Sequence, residues 1–160
     1  MKTKTIITEL TQEDLVNLLC TATYGSDWLN IYADFRKREK VATEDDCRED
    51  IWAKILLAGD KVSCTDYYAD ESVYGNLAHK IDEEGNVIYE LSLQGILDGL
   101  QKCADGTFKV ASSNYNNYGE NERRFVARCY NDFVNDGDGW DYTEADALMQ
   151  IILFGELIYG

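Results

Sequence analysis

The stretch that most constrains this chain is residues 145–154, ADALMQIILF, which is apolar on nearly every face. A helix of that kind has to lie at the centre of a fold, with the other elements packed round it. It is not a membrane span. The apolar run over 147–158 is interrupted by Gln150, Gly155 and Glu156 and falls short of the eighteen or so residues a span needs. Its ends are signalled locally: Thr143 is the expected N-cap, Asp146 completes a capping box, and Gly155 breaks the helix.

Around this hub the sequence alternates strand-like and helical segments, without repeats and without proline. Residues 3–9 read as a strand. Thr11 caps a helix, with Asp14 at the capping-box position and Leu15, Leu18, Leu19 and Ala22 on one face, ending before Gly25. Residues 27–35, which carry Trp28, fit either strand or helix, and the charged run over 36–40 closes them. A second helix is expected over 44–58, with Cys47, Ile51, Ile55 and Ala58 on one stripe and Gly59 as its stop. Residues 62–68 alternate as a strand, and Glu84-Gly85-Asn86 is a turn into another strand at Val87.

Ser92 caps a third helix over 93–103. Its Gly95 and Gly99 each weaken it by about 1 kcal/mol against alanine, so they are expected to mark a close helix contact. Residues 106–120 read as a surface loop, and 122–134 as a helix with Phe125, Val126, Cys129, Phe133 and Val134 inward. The expected architecture is α+β: a single compact domain over residues 1–160, with about four to five helices packed on a small, mainly antiparallel sheet.

Charge bears on partners. Fifteen Lys and Arg stand against thirty Asp and Glu, a formal charge of −15. Nucleic acid and anionic membrane are repelled by such a field, so no direct nucleic-acid partner and no membrane are expected. At 45% hydrophobic and 12% aromatic residues the chain has too much to bury for a disordered acidic tail. The N-terminus carries no signal-peptide core, and the expected location is the cytoplasm of a host cell. Five scattered cysteines, Cys20, Cys47, Cys64, Cys103 and Cys129, form no Cys-x-x-Cys pair and read as core residues.

Motifs for chemistry fail on register or on missing residues. The one histidine, His79, lies in a polar stretch and reads as a surface or turn residue. Neither a phosphate loop nor a dinucleotide fingerprint is present. The run NDGDGWD over 135–141 imitates a calcium loop, but counted from Asp136 the fifth position is Trp140, the sixth is Asp141 and the twelfth is Ala147. It reads as an acidic turn entering a helix, and no metal or cofactor is expected. A carboxylate pair for glycoside hydrolysis is available many times over among thirty acids, so the sequence selects none.

Some acids sit where helix dipoles favour them: Glu44, Asp45, Asp46, Glu49 and Asp50 at the start of the second helix, Glu144 and Asp146 at the start of the last. Others lie outside helix starts: Asp66, Asp70 and Glu71; Asp82, Glu83 and Glu84; Asp132, Asp136, Asp138 and Asp141. Carboxylates spaced over a compact surface imitate a phosphate backbone and fit a basic nucleic-acid groove. Tyr67, Tyr68, Tyr74, Tyr115 and Tyr118 supply rings favoured at interfaces; in a strand Tyr67 and Tyr68 point to opposite faces, one core and one exposed.

The segment LTQEDLVNLLCTA over 10–22, with Gly25 and Trp28 after it, and ADALMQIILFGELIYG over 145–160 resemble a group of small acidic proteins of tailed phages and mobile elements. The likeness lies at the two ends of the chain. That group has no established activity, so the resemblance implies a setting and no site residue. In that setting small acidic proteins act by blocking host machinery, restriction and CRISPR nucleases included.

The leading expectation is therefore a non-enzymatic counter-defence inhibitor of the anti-CRISPR or anti-restriction type. Its carboxylates would engage a basic surface of a host defence nuclease through Glu44, Asp45, Asp46, Asp136, Asp138 and Asp141, with Tyr115 and Tyr118 as loop anchors. The alternatives are a phage-encoded binding or assembly protein whose acidity serves solubility, and a small carboxylate-dependent hydrolase.

Overall fold

In the computed structural model, residues 7–110, 119–135 and 139–159 are described. They form six helices and six short strands, α1 (Gln12–Gly25), β1 (Leu29–Tyr32), α2 (Phe35–Val41), α3 (Arg48–Leu57), β2 (Val62–Asp66), β3 (His79–Ile81), β4 (Val87–Leu91), α4 (Leu93–Asp105), β5 (Lys109–Val110), α5 (Glu120–Asn135), α6 (Tyr142–Phe154) and β6 (Glu156–Leu157). Four strands make an antiparallel sheet in the order β1-β2-β4-β3, and β5 pairs with β6 in parallel. The α+β architecture is as expected.

The apolar helix is the hub. Over 144–154 every residue of α6 except Asp146 is buried, and α6 packs against α1, α4 and α5. Leu148, Met149 and Ile151 have no exposed surface, and each such side chain contributes about 1.5–3 kcal/mol. Gly99 lets α4 approach: a Cβ there would stand 2.5 Å from Ile152 Cα, so the expected close helix contact holds at Gly99, whereas Gly95 faces Ser92, Leu77 and Leu91 and no second helix. At the far end of α6, the ring of Phe154 meets Trp28, Tyr74 and Tyr89 at centroid distances of 5.3, 5.8 and 5.6 Å, joining the helices to the sheet.

The chain after α6 is tied back by one buried side chain. Gln150 Oε1 accepts the amides of Ile158 and Tyr159, both at 2.9 Å, and Gln150 Nε2 donates to Tyr159 O at 3.1 Å. That clasp sets Tyr159 against Trp28, with ring centroids 5.5 Å apart.

Several boundaries differ from expectation. Thr11 caps α1 through a full capping box and Ser92 caps α4, both as expected. Residues 7–9 lie outside any strand, and the rest of the expected 3–9 strand falls outside the described residues. The charged run over 36–40 is itself helical, in α2. The second expected helix starts later, with Cys47 as its N-cap, because Asp46 Oδ2 holds the Thr43 amide at 2.8 Å and closes a turn first. Cys47 is accordingly exposed, whereas Cys64, Cys103 and Cys129 are buried with thiol pKa values pushed up by burial. Asp141, two residues before Thr143, caps α6 by accepting the Glu144 amide at 3.0 Å.

Candidate functional site

Two loops close in the sequence, 66–71 and 82–85, form one acidic corner. β2 ends at Asp66, and the chain turns through Tyr67, Tyr68, Asp70 and Glu71. The Glu71 amide donates to Gly85 O at 3.0 Å, in the β3–β4 turn that carries Asp82, Glu83 and Glu84. Asp82 is consumed in building that turn, accepting the amides of Glu84 and Asn86 at 2.9 Å each. These bonds, the Asn86 amide first among them, hold its carboxyl below the ordinary range. Asp70, Glu71, Glu83 and Glu84 are exposed, and none forms an ion pair among the described residues.

The corner is held in an uncommon backbone conformation. Asp70 and Glu71 both have positive φ, 46° and 66°, a region that costs a non-glycine residue on the order of 1 kcal/mol or more. Two carboxylates stay in it because the Glu71–Gly85 bond and the Ser72 amide on Ala69 O, at 2.7 Å, fix the turn. Tyr67 and Tyr68 flank it, 50% and 54% exposed. The strand expected over 62–68 would have buried one of them; it stops at Asp66, so both rings face solvent.

Asp66 is the anchor beneath this corner. It is fully buried, accepts the Tyr159 hydroxyl at 2.8 and 3.0 Å, and accepts the Tyr68 amide at 3.0 Å. Burial raises its carboxyl pKa against the lowering effect of those donors, and burial and the Asp66 bond push the Tyr159 hydroxyl up. Asp66 thus has a structural partner. It does not belong to a binding surface, contrary to its grouping with Asp70 and Glu71 from the sequence.

A second acidic group lies where α5 meets α6. Glu144, 3% exposed, shares a hydrogen bond with Asp132 and lines a cavity of about 550 Å³ with Asp132, Asp141, Thr143, Arg128 and Phe125. Burial, then the Asp132 contact, push Glu144 up to about 7. The N-terminus of α6 favours a charged carboxylate there, but its effect of under about 1 kcal/mol is the smaller one. Cys129 also bonds Glu144, whose Oε2 has no hydrogen-bond partner. Arg128 stacks on Phe125 at 5.2 Å, and both line the same cavity.

No family model matches the chain, and no curated protein or solved structure matches it either.

Tyr115, Tyr118, Asp136 and Asp138 lie outside the described residues. Glu44 and Asp45 are exposed in the turn before α3, so the helix dipole does not account for them as expected. Asp46 is occupied by Lys54 Nζ at 2.6 Å, whose hydrogen bond lowers its pKa. Asp141 is exposed, with Oδ1 engaged as the α6 cap. His79 is exposed on the edge strand β3. No helix among the described residues is long and apolar enough to cross a membrane.

Proposed function

We propose that this protein acts by binding a Lys- and Arg-rich protein surface through the corner formed by Tyr67, Tyr68, Asp70, Glu71, Glu83 and Glu84. The observation that carries this reading is the convergence of the two acidic loops, through the Glu71–Gly85 bond, beside two half-exposed tyrosines. Exposed aromatic rings flanked by unpaired carboxylates combine contact area at low entropic cost with long-range attraction for cations. The overall charge of −15 adds steering of the same sign. Such a surface suits the basic groove in which a nuclease holds nucleic acid. The resemblance at the chain ends to phage and mobile-element proteins makes a counter-defence inhibitor the reading we adopt.

The test is a pull-down from host lysate at low and moderate salt, followed by nuclease inhibition assays with the retained protein. Replacing Asp70, Glu71, Glu83 and Glu84 with lysine should abolish retention, and wild-type affinity should fall steeply with salt. Retention that survives both the fourfold charge reversal and raised salt would instead support an apolar assembly role and reject this one.

A further inference from the structure

In a chain with twice as many acids as bases, the short helix α2 gathers Arg36, Lys37, Arg38 and Lys40. Beside it lies a cavity of about 300 Å³ that no acid lines. Its walls are the buried side chains of Ile31, Ile51 and Trp52, the partly exposed Tyr32, and two arginines, Arg38 of α2 and Arg48 of α3. The cavity between α5 and α6 is lined the opposite way, with three acids to one arginine.

Arg48 is oriented before any ligand arrives. Its Nε donates to Glu49 Oε1 at 2.8 Å and its guanidinium lies over the Trp52 ring, 5.2 Å from the centroid. Those two contacts fix the plane of the group, and its terminal nitrogens have no acceptor among the described residues. Arg38 has neither an ion pair nor a side-chain hydrogen bond among the described residues, whereas Lys37 is occupied by Asp60 and the Lys61 carbonyl. Arg48 is also the first residue of α3, the end of a helix where the macrodipole disfavours a cation. An anion set between the two guanidinium groups would offset that placement.

We infer that this α2–α3 cavity binds a small aromatic monocarboxylate, its flat ring against Ile31, Tyr32 and Ile51 and its carboxylate on Arg38 and Arg48. The planar fork of a guanidinium matches the two oxygens of a carboxylate, and apolar walls with a few fixed polar groups are the usual make-up of a small-ligand site. The volume is at the lower end for such sites, which suits one or two fused rings with a head group. The net charge of −15 favours a monoanion, because a phosphate monoester brings nearly twice the charge into the same repelling field. Tyr32 pairs with Ser63 at one end of the β1–β2 ladder, and Asp66, beneath the acidic corner, pairs with Leu29 at the other. The site is therefore separate from the corner proposed to bind a basic protein surface.

Naphthoate is the probe, titrated by calorimetry at fixed ionic strength. Wild type should bind it saturably, one per chain, and its melting temperature should rise with naphthoate. R38Q and R48Q should each weaken binding at least about tenfold, since each removes a charge-assisted contact. R36Q, on the same helix but outside the cavity, should bind as wild type does. Urea melts establish that each variant is folded. Naphthol, the ring without the charge, and acetate, the head group without the ring, should each bind at least about tenfold more weakly. Affinity for naphthoate that is equal in wild type, R38Q and R48Q, or that naphthol matches, would overturn the site. So would heats that do not saturate. Naphthyl phosphate binding more tightly than naphthoate would overturn the choice of a monocarboxylate.

Discussion

Replacing Glu144 with glutamine should change how stability depends on pH, in a direction and by an amount set first by the burial of Glu144 and then by its nearness to Asp132. The Glu144 carboxyl sits at about 7 in the folded protein against an ordinary 4.5. A folded-state value above the unfolded one means Glu144 holds its proton more tightly in the folded protein. The corresponding stability is fully present below about pH 4.5 and is lost as pH rises through about 7. At about 1.4 kcal/mol per pH unit the whole span is worth about 3 kcal/mol, and about 2–3 kcal/mol of it falls between pH 5 and 8. Glutamine cannot ionise, and its amide can donate to Asp132. Urea unfolding of wild type and E144Q at pH 5, 6, 7 and 8, in the presence of a chelator, measures the difference directly. The variant should gain about 2–3 kcal/mol relative to wild type over that range. Other carboxylates titrate in both proteins and cancel. A difference between the two proteins that stays flat with pH would refute the raised Glu144 carboxyl.

Two further substitutions probe the packing that positions the acidic corner. Y159F removes the hydroxyl donor from buried Asp66 and should cost about 2 kcal/mol at neutral pH by urea unfolding, the usual loss for a bond to a charged group. The loss should shrink as pH falls and Asp66 takes up a proton, since its folded pKa is raised. G99A should destabilise by about 1–3 kcal/mol despite the better helix propensity of alanine, because its Cβ would collide with the backbone of α6 at Ile152; a neutral or stabilising result would contradict the close α4–α6 approach.

What the sequence made legible is whatever was encoded within one turn or one apolar stripe. Thr11 and Asp14, then Ser92, announce their helices because capping is a contact over three residues. The central place of α6 follows from its composition alone. The misplaced start of α3 has the opposite origin. Glu44, Asp45 and Asp46 suit a helix N-terminus, but Asp46 is claimed by Thr43 and by Lys54 eight residues on. Nothing near Asp66 tells that a tyrosine 93 residues away fills its acceptor sites and so ends the strand there. Glu144 likewise reads as an ordinary helix-start acid until α5 brings Asp132 against it. The acidic corner is half visible in the sequence: both loops are acid-rich there, and the Glu71–Gly85 bond that joins them is a tertiary fact.

The hub helix also fixes an order of events. A ribosome adds roughly 5–20 residues per second, so α1 emerges on the order of ten seconds before α6 does. Through that interval the faces of α1 and α4 that α6 covers are bare, and no earlier helix replaces it. The nascent chain therefore leaves those apolar faces bare until α6 has been made, and folding waits for one late segment to arrive and be enclosed.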